Sequence, residues 1–159
     1  MPNDLVLKPS GEASAAGLAE PHPPLVPPAA WRVLVVDDNV DAAETLAMLL
    51  HLSGYVTQTA HDGVQALVVA EALRPDVVVL DIGLPLLSGL EVARRLRQQP
   101  AGQRMVLVAL TGWDQAADRW ASIAAGFDAH LVKPCGHEQL LQLLPGLLAR
   151  RTASGDAPG

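Results

Sequence analysis

The chain has 159 residues, half of them hydrophobic but only 3% aromatic, and carries a formal net charge of -6. That length holds one domain of the usual ~100 to 150 residues with tails, and excludes two full domains. The acidic balance argues against a general affinity for phosphate backbones, which rests on clustered Lys and Arg, so no nucleic-acid partner is expected.

Residues 1–29 hold seven of the thirteen prolines, in runs such as Pro21-His22-Pro23-Pro24. A segment of this composition does not offset the entropy of ordering, and it is expected to be a disordered arm with local polyproline character. Pro-rich composition alone gives a PxxP-type docking motif little support against an inert leader. The first thirty residues lack a basic start followed by an apolar run, and no stretch approaches the ~20 apolar residues of a membrane span. No membrane partner is expected.

From residue 30 onward, short apolar runs rich in β-branched residues alternate with segments of helical period. Strands are predicted over 32–36, 55–59, 76–80, 105–110 and 129–132, and helices over 40–53, 63–73, 88–98, 114–125 and 137–149. Gly54 and Gly126 stand where a helix C-terminus needs positive φ, and Pro75 and Pro100 end two other helices. A scarcity of aromatics alongside abundant Val, Leu, Ile and Ala suits buried parallel strands flanked by helices. The expectation is one α/β domain over 30–150, a doubly wound (βα)5 unit with helices on both faces of a parallel sheet, followed by a second disordered tail over 151–159. A single cysteine, Cys135, forms no internal disulfide, and no Cys/His spacing matches a zinc site, which points to the cytoplasm. The five histidines, His22, His51, His61, His130 and His137, fall in no metal-ligand pattern.

Ligands in such sheets bind beyond the carboxyl ends of the strands. Those ends carry Asp37 and Asp38 after the first strand, Asp81 after the third, Thr111 after the fourth and Lys133-Pro134 after the fifth. Three adjacent acids repel one another and call for compensating cations, which Lys133 and a divalent metal would supply. All the donors are oxygen, so the metal should be hard: magnesium, with manganese as a substitute. Beside such a metal an Asp81 oxygen can attack phosphorus to give an acyl phosphate, with Lys133 neutralising the phosphoryl oxygens. The Thr111 hydroxyl can bond a new phosphoryl oxygen and draw its loop inward. Of Asp37 and Asp38, one would ligate directly and the other through water, in an order these residues leave open.

The runs Val35-Val36-Asp37-Asp38-Asn39, Leu80-Asp81-Ile82-Gly83-Leu84-Pro85, Leu110-Thr111-Gly112 and Leu131-Val132-Lys133-Pro134 resemble the receiver domain of two-component response regulators, over about residues 31–150. The resemblance implies a strand order of 2-1-3-4-5 and transfer of a phosphoryl group to Asp81 from a phosphohistidine on a sensor histidine kinase or a histidine phosphotransfer protein. It also implies Asp38 as direct magnesium ligand, Asp37 mainly through water, the Gly83 carbonyl as a further ligand, and a cis bond before Pro134. A stand-alone receiver would present its fourth helix, fifth strand and fifth helix to a downstream protein target, with homodimerisation left open. It would be a switch that assists its own phosphorylation and dephosphorylation, not a turnover enzyme.

Where many receivers place Tyr or Phe, three residues before the lysine, this chain has His130, whose imidazole could rotate in the aromatic ring's stead or stay static. Gly83 and Gly112 leave two positions around the phosphoryl group without side chains, either to shorten the life of the acyl phosphate, with Trp113 as counterweight, or merely to serve tight turns. Trp120 and Ile123 read as helix packing, Trp31 as a lid on the first strand, and Arg94, Arg95 and Arg97 as a solvated helix face. Asp38 or Asn39 would also cap the first helix. Two rival functions are a phosphorylation-independent scaffold and an aspartyl-phosphate phosphatase of the haloacid-dehalogenase type. The second wants an Asp two residues after its nucleophile, where Gly83 stands.

Overall fold

The computed structural model describes residues 30–112, 125–133 and 136–153. Val33 to Val36 and Val77 to Leu80 are branched aliphatics with no solvent exposure, and they form the two central strands, β1 (Arg32–Val36) and β3 (Val77–Asp81). Their runs are apolar throughout because both faces of the sheet are covered. Beside them lie β2 (Val56–Ala60), β4 (Val106–Gly112) and β5 (Ala129–Lys133). All pairs are parallel, in the order β2-β1-β3-β4-β5 expected from the sequence.

Two apolar cores sandwich the sheet. On one face Val33, Val35, Val77 and Val79 meet α1 (Val40–Leu52) and α4 (His137–Ala153) through Leu50, Leu140 and Leu144. On the other, Leu34, Val36, Val78 and Leu80 meet α2 (Gly63–Leu73) and α3 (Gly89–Gln98) through Ala66, Ala70, Val92 and Leu96. A strand's side chains alternate between faces, so this parity assigns each strand-end residue to a side. The helix starts follow local chemistry: the side chains of Asn39, Asp62 and Ser88 each accept a backbone N–H from the first turn they cap. Of the two cap candidates at the first helix, the structure uses Asn39, which leaves Asp38 to other work.

Gly54, just past the end of α1, and Gly126 have φ of 106° and 104°, the positive values expected of them from the sequence. Four features differ from the sequence expectation. β2 starts one residue later than predicted, while β3, β4 and β5 run further into the strand-end motifs, so that Asp81, Thr111 and Lys133 lie within the ladder. A 3-10 turn, Ala101–Arg104, intervenes after Pro100. The last helix continues through Pro145 to Ala153, past the predicted end at 149, and Arg151 in it pairs with Asp76 at 3.0 Å while its guanidinium lies 5.6 Å from the centre of the Trp31 ring. Trp31 thus packs against the first core, as a lid should. The predicted arm over 1–29, the predicted helix over 114–125 up to residue 124, with Trp120 and Ile123, and Trp113, Pro134 and Cys135 lie outside the described residues.

Candidate functional site

At the carboxyl end of the sheet, parity places Asp37, Asp81 and Lys133 on the face covered by α1 and α4, continuing the rows Val33-Val35, Val77-Val79 and Ala129-Leu131. Asp37 and Asp81 are buried, and Lys133 reaches both: its Nζ lies 2.9 Å from Asp81 Oδ2 and 3.1 Å from Asp37 Oδ2. Burial works against the Lys133 ammonium, but the hydrogen bonds and negative charges of Asp81 and Asp37 outweigh it and hold the pKa above the usual lysine value.

Asp38 is exposed at the rim, yet a carboxylate oxygen from each of Asp37, Asp38 and Asp81 lies within 4.8 Å of the others. Three carboxylates face one ammonium. Such an all-oxygen, acid-rich set fits a hard divalent cation, magnesium before manganese.

The backbone holds these carboxylates in place. Asp37 Oδ1 accepts the Asn39 N–H at 3.0 Å, and Asp81 Oδ1 accepts the Gly83 N–H at 2.9 Å. The Asp37 backbone is gripped on both sides, its N–H donating to the Ala60 carbonyl and its carbonyl lying 3.2 Å from His61 Nδ1. Beneath Asp81 the start of α3 comes so close that a Cβ on Gly89 would sit 2.3 Å from the Asp81 carbonyl oxygen. Gly89 also donates its N–H to the Ile82 carbonyl at 3.0 Å. Neither His61 nor Gly89 was singled out from the sequence. His61 follows the second strand and could have been found by reading that strand's end with the others, whereas nothing in the sequence marks the approach of Gly89 to a strand 8 residues earlier in the chain.

Thr111 lies on the opposite sheet face, in the row of Leu107 and Ala109, and is buried with its hydroxyl oxygen unpaired. It is thus brought to the same end of the sheet as the acids but makes no hydrogen bond to them. His130, paired with Ala109 in the ladder, shares that face with Thr111 and is partly buried. Beside Asp37 and Lys133, a groove of about 880 Å³ runs along α1 toward the start of α4, with Ala42, Leu46 and Leu49 as its apolar wall. On α3, Arg94 and Arg95 pair with Glu91 on the exposed face as expected. Arg97 does not join that solvated face: its guanidinium turns inward to the carbonyls of Gly102, Met105 and Gly126 and to Asp128.

The pattern of the response regulator receiver domain matches residues 33–145. Response regulator MprA of Mycobacterium avium is 42% identical over 126 residues, which is 79% of this chain and 54% of that protein, and MprA of Mycobacterium bovis BCG is 44% identical over the same shares. The chain therefore spans about half the length of these curated relatives. Among solved structures, the chemotaxis response regulator CheY4 of Vibrio cholerae superposes with a TM-score of 0.69 at 31% identity, covering 74% of this chain and 98% of its own. The receiver domain of sensor histidine kinase PA1611 from Pseudomonas aeruginosa gives 0.68 at 31% identity, covering 75% and 98%, and was solved with a magnesium ion coordinated in its active site cleft.

Proposed function

This chain belongs to the response regulator receiver family, and from that premise we propose that it is a phosphorylation-dependent switch that accepts a phosphoryl group on Asp81 from a phosphohistidine of a sensor histidine kinase or histidine phosphotransfer protein. Phosphorylation and magnesium are characteristic of the family. The observation that carries the reading is the buried Asp81 carboxylate held between Lys133 and the Gly83 amide, with Asp37 and Asp38 within reach of one cation.

An Asp81 oxygen forms the bond to phosphorus as the bond from phosphorus to the donor imidazole breaks, and the imidazole keeps the electron pair and takes up a proton. Lys133, held protonated by the acids, pairs with the phosphoryl oxygens that arrive beside it. Asp38 would hold magnesium directly, Asp37 through water, with Asp81 and the Gly83 carbonyl completing the protein's share. The bound ion supplies Lewis-acid neutralisation of the phosphoryl oxygens. The groove along α1 suits an apolar segment of the donor protein, because its apolar wall opens on Asp37 and Lys133.

The signal leaves through Thr111. Its buried, unpaired hydroxyl gains an acceptor when the phosphoryl group arrives, and the inward shift frees space on the face it shares with His130, which rotates in response. The surface altered in this way comprises the segment after β4, β5 and α4. It binds a downstream protein or a second copy of the chain. The receiver domain of a cytoplasmic protein spans residues 30–153, since the last helix carries Arg151 into the fold, and it is flanked by a Pro/Ala-rich arm over 1–29 and a tail over 154–159.

Intact mass after incubation with magnesium and a small phosphodonor tests this. The wild type should gain one phosphoryl group and Asp81→Asn none; no gain by the wild type, or equal gain by both, overturns the assignment. Spectra of phosphorylated and resting His130→Ala that differ just as the parent's do would remove the histidine from the switch.

A further inference from the structure

The opposite pole of the sheet has its own chemistry. Six of the eleven cationic residues, Arg32, Arg74, Arg97, Arg104, Arg150 and Arg151, line two clefts at the amino ends of the strands, on a chain whose net charge is -6. The clefts, of about 310 and 360 Å³, adjoin, for both are lined by Arg104, Met105 and Arg151. Two acids lie among them, and both are engaged. Asp128 Oδ2 takes Arg97 at 2.8 Å and the Leu107 N–H at 2.9 Å, while Asp76 takes Arg151 at 3.0 Å and the Arg32 N–H at 2.8 Å. Arg74, Arg104 and Arg150 are solvent-exposed on the rim.

One of these arginines sits where its backbone disfavours it. Arg74 caps α2 with φ 54° and ψ 62°, a left-handed conformation in which glycine is the unstrained residue. The guanidinium lining the cleft is what Gly would not provide.

We propose that these adjoining clefts bind a compact polyphosphate anion, inorganic triphosphate or the triphosphate of a nucleotide, at a site separate from the phosphoacceptor. Guanidinium forks match phosphate oxygens in bidentate pairs, and a run of phosphates can bridge two clefts in a way a single phosphate does not. Concave clefts of this size suit a small ligand. The five-residue strands between the poles hold the two sites about 15 to 20 Å apart.

Calorimetry of the full chain in metal-free buffer, titrated separately with inorganic triphosphate and with ATP, tests the site. Saturable one-to-one binding that tightens as salt is lowered is expected, with amide shifts at Arg32, Asp76 and Met105. Equal affinity for the two ligands means that only phosphates are read, and tighter ATP binding means that the base is read as well; both uphold the site. A triple variant, Arg74→Gly, Arg104→Gln and Arg150→Gln, should bind about tenfold more weakly or worse. It should fold normally, since all three positions are exposed and glycine relieves the left-handed backbone. The double variant Arg94→Gln, Arg95→Gln, on the exposed face of α3, should bind like the parent. Absent saturable binding, a triple variant that binds like the parent, or shifts centred on Asp37, Asp81 and Lys133 would overturn the proposal.

Discussion

Replacing Lys133 with methionine tests the electrostatics of the site without touching a carboxylate. In the parent, one ammonium 2.9 and 3.1 Å from two carboxylates compensates side chains that are only 11% and 6% exposed. At an effective dielectric of ~20, each contact is worth about 5 kcal/mol before desolvation is counted. Desolvation of the three groups cancels most of that, and the lysine is itself 35% exposed, which screens it further. Loss of the cation leaves two buried acids facing each other, so the variant should be less stable than the parent by about 2 kcal/mol in the absence of metal. Urea unfolding at neutral pH with a chelator measures this. Saturating magnesium should then restore much of the loss, since a ligand at 100 times its Kd contributes about 2.7 kcal/mol to the state that binds it. Asp81→Asn should act in the opposite sense, gaining about 1 kcal/mol without metal because one ammonium then serves one buried carboxylate. A Lys133→Met protein within ~0.5 kcal/mol of the parent in chelator would refute the reasoning, because the carboxylates would then need no cation.

Three further outcomes follow from the packing. Gly89→Ala should cost about 1 to 3 kcal/mol and slow phosphoryl acceptance, since the new Cβ meets the backbone beneath Asp81; Gly83→Ala, whose Cβ would meet only Asp81 Oδ1 at an ordinary 3.7 Å, should cost little in a thermal melt. Thr111→Val should stabilise the unphosphorylated protein by about 1 kcal/mol in urea, because it removes a buried hydroxyl that has no partner, while losing the response to phosphorylation. Tyr55 is the chain's only tyrosine, and desolvation by burial raises its pKa above the usual ~10. A raised folded pKa contributes stability that is fully present below the unfolded value and is lost as pH rises through the folded one. Tyrosinate absorbance should therefore titrate at a higher pH in the native protein than in urea, and equal midpoints would contradict the burial.

Much of the site was legible because receiver chemistry collects at strand ends, and strands buried on both faces write themselves as apolar runs. Leu80-Asp81 and Val132-Lys133 are abrupt changes from apolar to charged, visible without any knowledge of contacts. What escaped depends on partners distant in sequence. Arg97 shares a short run with Arg94 and Arg95 and so read as part of a solvated face, but the carbonyls of Gly102, Met105 and Gly126 and the Asp128 carboxylate draw it inward. The last helix outran its predicted end for a similar reason: Arg151 is held by Asp76, 75 residues away in the chain. Gly89 carries no signal at all, since its role is to lack a Cβ at one point of approach.

Net charge conceals a local pattern in a related way. A total of -6 describes the chain as acidic, yet charge acts over about a Debye length of ~8 to 10 Å, shorter than the sheet is long. The fold uses that distance. The carboxyl ends of the strands gather acids around one lysine, and the amino ends gather arginines around two aspartates, so the two poles carry opposite local charge. Arg32, Arg74, Arg104 and Arg150 lie far apart in sequence and in four different segments, and only the winding of helix after strand returns them all to one end. An average over the sequence does not reach the clefts, where the local balance has the opposite sign.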